Sequence, residues 1–94
     1  LVDRGDIAGA VAAYHAALAL DPGFAAAHSG LGYARVKAGD AAGAEVAFRR
    51  AVALAPNAAD ARTALGDVLR FKGETAGAVA EYTRAVRLGA RTPM

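Results

Sequence analysis

Apolar residues recur along the chain with a helical period, and no segment alternates with period two. Tyr14, Ala17 and Leu18 share one helix face, because residues three and four positions apart are neighbours on a helix. The same spacing recurs in two later segments, at Phe48, Ala51 and Val52 and at Tyr82, Ala85 and Val86. The pattern predicts an all-α chain.

Breaks between the apolar segments predict five helices. Gly5, Gly39 and Gly73 stand where a helix should end, because glycine adopts the left-handed conformation without steric cost. Asp40 follows with a side chain suited to cap the next helix, and Thr75 is predicted to cap the last one. The predicted helices span residues 7–20, 25–38, 41–54, 59–72 and 75–88. Their connections of two to four residues make successive helices antiparallel neighbours.

A six-residue phrase occurs three times at a spacing of 34 residues. It reads Gly-Asp-Ile-Ala-Gly-Ala from residue 5, Gly-Asp-Ala-Ala-Gly-Ala from residue 39 and Gly-Glu-Thr-Ala-Gly-Ala from residue 73. Pro22 and Pro56 keep the same spacing. A fixed period of this length indicates a repeat array. We expect a half repeat at 1–24, holding only a second helix, and full repeats at 25–58 and 59–92. The partner of that first helix would precede residue 1, so the chain is expected to be a fragment.

On this frame the sequence resembles the tetratricopeptide repeat family. The family has a Leu-Gly pair in its first helix, small residues around an aromatic in its second helix and a closing proline. The pairs here are Leu31-Gly32 and Leu65-Gly66. The small and aromatic positions are Ala10, Tyr14, Ala17, Ala44, Phe48, Ala51, Ala78, Tyr82 and Ala85. The resemblance implies a right-handed superhelical solenoid of antiparallel helix pairs, whose first helices line a concave groove.

Several positions depart from the family pattern. His28 and Arg62 replace the large aromatic that often precedes the Leu-Gly pair, and Arg35 stands at a position that is usually apolar. Small residues should allow close helix approach. The larger apolar residues predicted to fill the remaining core are Leu31, Phe48, Leu54, Leu65, Tyr82 and Leu88.

Composition narrows the possible functions. The chain has no cysteine, which excludes disulfides and thiolate sites. Its net charge of +2 comes from dispersed residues, so a nucleic-acid interface is not expected. No apolar run is long enough to span a membrane, and a soluble, cytoplasmic protein is the default expectation.

Candidate chemistry is sparse. His15 and His28 have no ligand-type neighbours at metal-binding spacing and are expected to be surface or boundary residues. Ser29, His28 and Asp60 do not make a plausible catalytic triad, because adjacent helical residues point about 100° apart. Four arginines of the second helices offer a candidate phosphate-binding stripe, but they are expected to be solvated: Arg49, Arg50, Arg84 and Arg87. We predict no catalysis, cofactor or metal.

The resemblance places candidate partner-binding residues on the concave face. They are Ser29, Tyr33, Val36, Lys37, Asp60, Thr63, Asp67, Arg70 and Phe71. Tyr33, Lys37, Arg70 and Phe71 are expected to carry the contact, since tyrosine and arginine are enriched in binding hot spots. Tyr33 and Phe71 could instead pack on the adjoining helix.

The sequence thus predicts a protein-interaction scaffold that captures a peptide or helix of a protein partner. The chaperone carboxylate clamp is absent, because its positions hold Ser29, Gly30, Tyr33, Thr63, Ala64 and Asp67. Two alternatives stay open: a docking module of a larger enzyme such as a transferase, and an assembly element that self-associates through uncapped ends.

Overall fold

A computed structural model describes residues 4–90, which form five α-helices. They are α1 Arg4–Leu20, α2 Ala25–Lys37, α3 Ala41–Leu54, α4 Ala59–Phe71 and α5 Thr75–Ala90. The all-α prediction is confirmed, and the starts of α2 to α5 lie where the sequence predicted them. The outermost residues of the predicted repeats, 1–3 and 91–92, lie outside the described part of the chain.

Gly39 and Gly73 terminate α2 and α4, the first helix of each pair, as predicted. Gly39 has φ of +81° and Gly73 has φ of +83°, a backbone region that other residues rarely adopt. Gly39 N–H donates to the Val36 carbonyl at 3.0 Å, which satisfies one of the last carbonyls of α2. Asp40 then caps α3, because its carboxylate accepts the Gly43 N–H at 2.9 Å.

Two predictions about helix ends are wrong. Gly5 does not end a helix, because α1 already begins at Arg4 and Gly5 lies in its first turn. Nor does Thr75 cap α5, since Thr75 is its first helical residue and Glu74 precedes it. The Ala78 N–H donates to the Glu74 carbonyl at 3.0 Å, as the Ala44 N–H does to Asp40. The repeat register therefore sets the start of α5, although glutamate is the poorer capping residue.

Each helix packs on the next one along the chain, across connections of three or four residues. A Cβ placed on Gly66 would contact Tyr82, and one placed on Gly77 would contact Leu69. Residue numbers therefore rise along α4 where they fall along α5, which confirms the antiparallel pairing. Close helix approach at glycine thus organises the stack.

The core lies where α3, α4 and α5 meet. Phe48, Leu65 and Leu69 are its largest fully buried side chains. Leu54 was expected to fill the core but is 47% exposed, and Val86, which follows the apolar period of α5, is 71% exposed. Leu54 is the last residue of α3, and α5 packs chiefly on α4, which leaves one side of α5 in solvent.

An ion-pair cluster links α3 to the end of α4. Glu45 accepts hydrogen bonds from Lys72 and, at 2.9 Å, from Arg49. These bonds, that from Lys72 first, hold the pKa of Glu45 below its ordinary value of 4.5. A lowered pKa adds stability above about pH 4.5 and loses it as the pH falls through the folded-state value.

We therefore expect the urea midpoint to fall less between pH 6 and pH 3 in Glu45→Gln than in the wild type. Asp60→Asn is the control, because the Asp60 carboxylate forms no ion pair within residues 4–90. It should change the pH dependence of the midpoint less than Glu45→Gln does. Equal slopes for Glu45→Gln and the wild type would contradict the expectation.

Candidate functional site

An apolar groove of about 320 Å³ opens between α2 and α4, with the start of α3 as its floor. We refer to it as the α2–α4 groove. Its lining residues are Tyr33, Val36, Gly39, Ala41, Phe48, Ala64, Asp67, Val68, Arg70 and Phe71. Five of the nine candidate residues named from the sequence therefore meet in one groove.

The helical period explains which side chains reach the α2–α4 groove. Tyr33 and Val36 are three residues apart on α2, and Asp67 lies three residues before Arg70 on α4, so each pair forms a stripe on one helix face. Small residues at Gly39, Ala41 and Ala64 leave the space between these stripes unfilled. The groove is thus a consequence of helix spacing and side-chain size together.

The rim of the groove exposes large apolar side chains. The exposed fraction is 47% for Tyr33, 48% for Val36 and 82% for Phe71. Tyr33 also packs edge-on against Phe48, with ring centroids 5.0 Å apart and an interplanar angle of 77°. Tyr33 thus combines both roles considered from the sequence, since it packs on α3 and still presents half of its surface. Phe71 is almost entirely free to contact another molecule.

The remaining four candidate residues lie on α2 and α4 but do not line the groove. Ser29 is partly buried, whereas Lys37, Asp60 and Thr63 are exposed. Lys37 was expected to carry part of the contact, and its place outside the lining gives it at most a peripheral position.

Polar contacts fix the acidic side of the groove. The Tyr82 hydroxyl donates a hydrogen bond to Asp67, whose carboxylate also lies 3.6 Å from the Arg70 guanidinium. The bond to Asp67 raises the pKa of Tyr82. Partial burial, and then the charges of Asp60 and Asp67, raise the pKa of Tyr33. Both phenols therefore remain neutral hydrogen-bonding groups at physiological pH.

His28 differs from its prediction. It is only 6% exposed, and its Nε2 lies 3.1 Å from the Pro22 carbonyl, so the expectation of a surface or boundary histidine is wrong. A carbonyl can only accept, which places the ring proton on Nε2. The loop before α2 thus provides a hydrogen-bond partner for His28, as the loop before α4 does for Arg62.

Within residues 4–90, no three histidine, cysteine, aspartate or glutamate side chains are grouped so that they could hold a metal ion. None of the helices in that range is long and apolar enough to cross a membrane.

Sequence reasoning missed the small lining residues and Val68, and it counted Phe48 only as a core position. It also missed a second groove of about 560 Å³ among α1, α2 and α3. A position-by-position comparison of the copies could have found that groove, because Ala47 aligns with Glu81 in the 34-residue frame.

Two family descriptions match the sequence: "TPR repeat" over residues 1–39 and "Tetratricopeptide repeat" over residues 31–93. A comparison with curated proteins found no match. Among solved structures, one titled "Crystal structure of MamA" is 23% identical with a TM-score of 0.88, covering 92% of this chain and 50% of the other. Another, "Crystal structure of MamA protein", is 23% identical with a TM-score of 0.84, covering 92% and 47%. The chain thus spans about half the length of these structures, which share its fold.

Proposed function

The chain belongs to the tetratricopeptide repeat family, and from that premise we propose that it is a protein-interaction scaffold whose α2–α4 groove captures a peptide or helix of a protein partner. The family typically binds other proteins. The observation that carries the assignment to this groove is the convergence of three exposed apolar side chains, Tyr33, Val36 and Phe71, on one concave volume. Contiguous exposed apolar surface of this kind marks interaction sites.

The groove favours a partner with an apolar anchor residue. Phe71 and Val36 offer contact area on opposite helices, and the Phe48 ring forms part of the floor between them. Asp67 and Arg70 lie beside this apolar surface and would pair with polar groups at the partner's edge. Binding would draw on buried area and requires no covalent step.

We expect Phe71→Ala to weaken binding to a partner by about 2 kcal/mol, or about 30-fold in Kd, as truncation of an aromatic hot spot does. Folding stability should change by less than about 0.5 kcal/mol, because the side chain is 82% exposed. Val86→Ala on α5 is the matched control, since Val86 is 71% exposed and does not line the groove. Isothermal titration calorimetry measures both Kd values.

A partner can be obtained by site-specific photocrosslinking in cells that make the protein. A benzophenone amino acid replaces Val36 in the groove, and Val79 on α5 serves as the control position. A protein crosslinked from position 36 and not from 79 is then purified for the titration. Equal crosslinking from both positions, or a Phe71→Ala Kd equal to that of the wild type, would contradict the proposal. Crosslinks between two copies of the chain would favour self-association instead.

A further inference from the structure

Basic side chains, and no acidic ones, are among the residues that line the second groove. We call it the α1–α3 groove, because α1 and α3 form its walls and α2 its floor. It shares no lining residue with the α2–α4 groove. Its ionisable lining residues are all basic: His15, His28, Arg35 and Arg50. Of these, Arg35 is already paired with Asp40 at 3.1 Å.

An equivalent hydrogen bond occurs in both copies of this region. His28 Nε2 bonds to the carbonyl of Pro22 at 3.1 Å, and Arg62 Nε donates to the carbonyl of Pro56 at 3.0 Å. Both residues of each pair are displaced by 34 positions. The basic side chain in each copy is therefore anchored to the loop before its helix in the same way.

The copies differ in what the basic side chains face. In the later copy, Glu81 accepts a hydrogen bond from Arg62 Nη1 at 3.0 Å and another from Arg84 Nη1 at 3.0 Å. Glu81 is only 7% exposed, so its carboxylate is held inside the fold by these two cations.

The earlier copy lacks that carboxylate. Ala47 occupies the position of Glu81, and Arg50 that of Arg84, 34 residues earlier. Ala47 lines the α1–α3 groove beside His28 and Arg50. Arg50 forms no ion pair in the part of the chain that the structure describes. Arg50 thus keeps the position of one of the two cations that hold Glu81, whereas His28 stands at the position of Arg62 and its Nε2–H is already given to the Pro22 carbonyl.

We propose that the α1–α3 groove binds a glutamate side chain of a partner protein, in the place that Glu81 fills in the next copy. The apolar walls select a glutamate with apolar neighbours, because Leu18 and Val46 flank the basic groups and Val46 is 55% exposed. Arg50 supplies the charged donor to the carboxylate. This second site lets the scaffold hold a glutamate-bearing segment on a different surface from the α2–α4 groove.

The probe is the capped peptide acetyl-Ala-Leu-Glu-Leu-Ala-amide, and its glutamine counterpart is the matched control. We expect the glutamate peptide to shift the backbone amide resonances of residues 28, 47 and 50 in the 15N-labelled chain. The glutamine peptide should bind at least 10-fold more weakly. Shifts confined to residues of the α2–α4 groove, or equal binding of both peptides, would overturn the proposal.

The protein offers its own competitor for this site. Ala47→Glu should restore the internal carboxylate and abolish peptide binding. Because Ala47 is only 3% exposed, Arg50→Ala provides a test that leaves the core intact, and it should weaken glutamate-peptide binding about 10-fold. Unchanged binding in Arg50→Ala would contradict the site. Phe71→Ala should not alter it, so a failure here is distinguishable from a failure of the α2–α4 groove.

Discussion

Replacing Phe48 by alanine is expected to lower the free energy of unfolding by about 3–5 kcal/mol, the usual cost of truncating a buried phenylalanine. Phe48 has no exposed surface, and its ring packs against both Tyr33 and the backbone at Gly32. It also belongs to the cluster that joins α3 to α4 and α5. The loss is a large share of the 5–15 kcal/mol that typically separates folded from unfolded proteins.

Urea unfolding followed by far-ultraviolet circular dichroism measures this loss. Val46→Ala is the control on the same helix, and it should change stability by no more than about 0.5 kcal/mol, because Val46 is 55% exposed. A Phe48→Ala chain as stable as Val46→Ala would mean that the ring does not join the helices in solution.

The helices were predictable because residues at their ends determine where they start and stop. The ends of α2 and α4 need a positive φ, which few residues other than glycine adopt, and Gly39 and Gly73 provide it. Asp40 supplies the expected cap of α3. The first copy of the phrase lies inside α1, which begins at Arg4, so the prediction that Gly5 ends a helix was wrong.

Side-chain placement was less predictable because it depends on neighbouring helices. Phe48, Ala51 and Ala85 follow the apolar period of their helices and are buried. Val86 also follows that period but is exposed, and so is Leu54, which was predicted to fill the core. Burial of those two would require another element over the ends or outer faces of their helices. The burial of His28 was not predicted, because its hydrogen-bond partner, the Pro22 carbonyl, lies in a loop and not on a helix face.

Only part of the candidate site could be predicted. The resemblance to the family placed Tyr33, Val36 and Phe71 on the concave face, and all three line the α2–α4 groove. The volume between the stripes depends on small residues such as Ala41 and Ala64, whose importance appears only once the helices are assembled. The family frame thus predicts which residues face a groove, whereas packing determines whether the groove exists.

Differences between the copies carry information that the shared pattern does not. The 34-residue frame places a basic residue at both 28 and 62, and each one bonds to the equivalent loop carbonyl of its own copy. The change from Ala47 to Glu81 then decides whether the space beside that residue is open or filled. A single difference between copies can thus decide whether equivalent surfaces of one repeated unit are filled from within or left open.

Gly32→Ala is expected to lower the free energy of unfolding by about 1–3 kcal/mol, as overpacking a core does. A Cβ at this position would lie 2.6 Å from Cε1 and 2.7 Å from Cζ of Phe48. The ring cannot move aside easily, because it is fully buried and is contacted by Tyr33. The loss should exceed the gain in helix propensity of about 1 kcal/mol that alanine brings in place of glycine.

Gly9→Ala is the matched control, because Gly9 lies inside α1 and a Cβ there would meet nothing within 4 Å. The same substitution should therefore stabilise the chain by about 0.5–1 kcal/mol through helix propensity alone. Urea midpoints should move in opposite directions for the two variants. Two shifts of the same sign would show that close approach to Phe48 is not the reason for glycine at position 32. If the two midpoints move in opposite directions, the glycine of the Leu-Gly pair is explained by the Phe48 ring, which occupies the space that a side chain at position 32 would need.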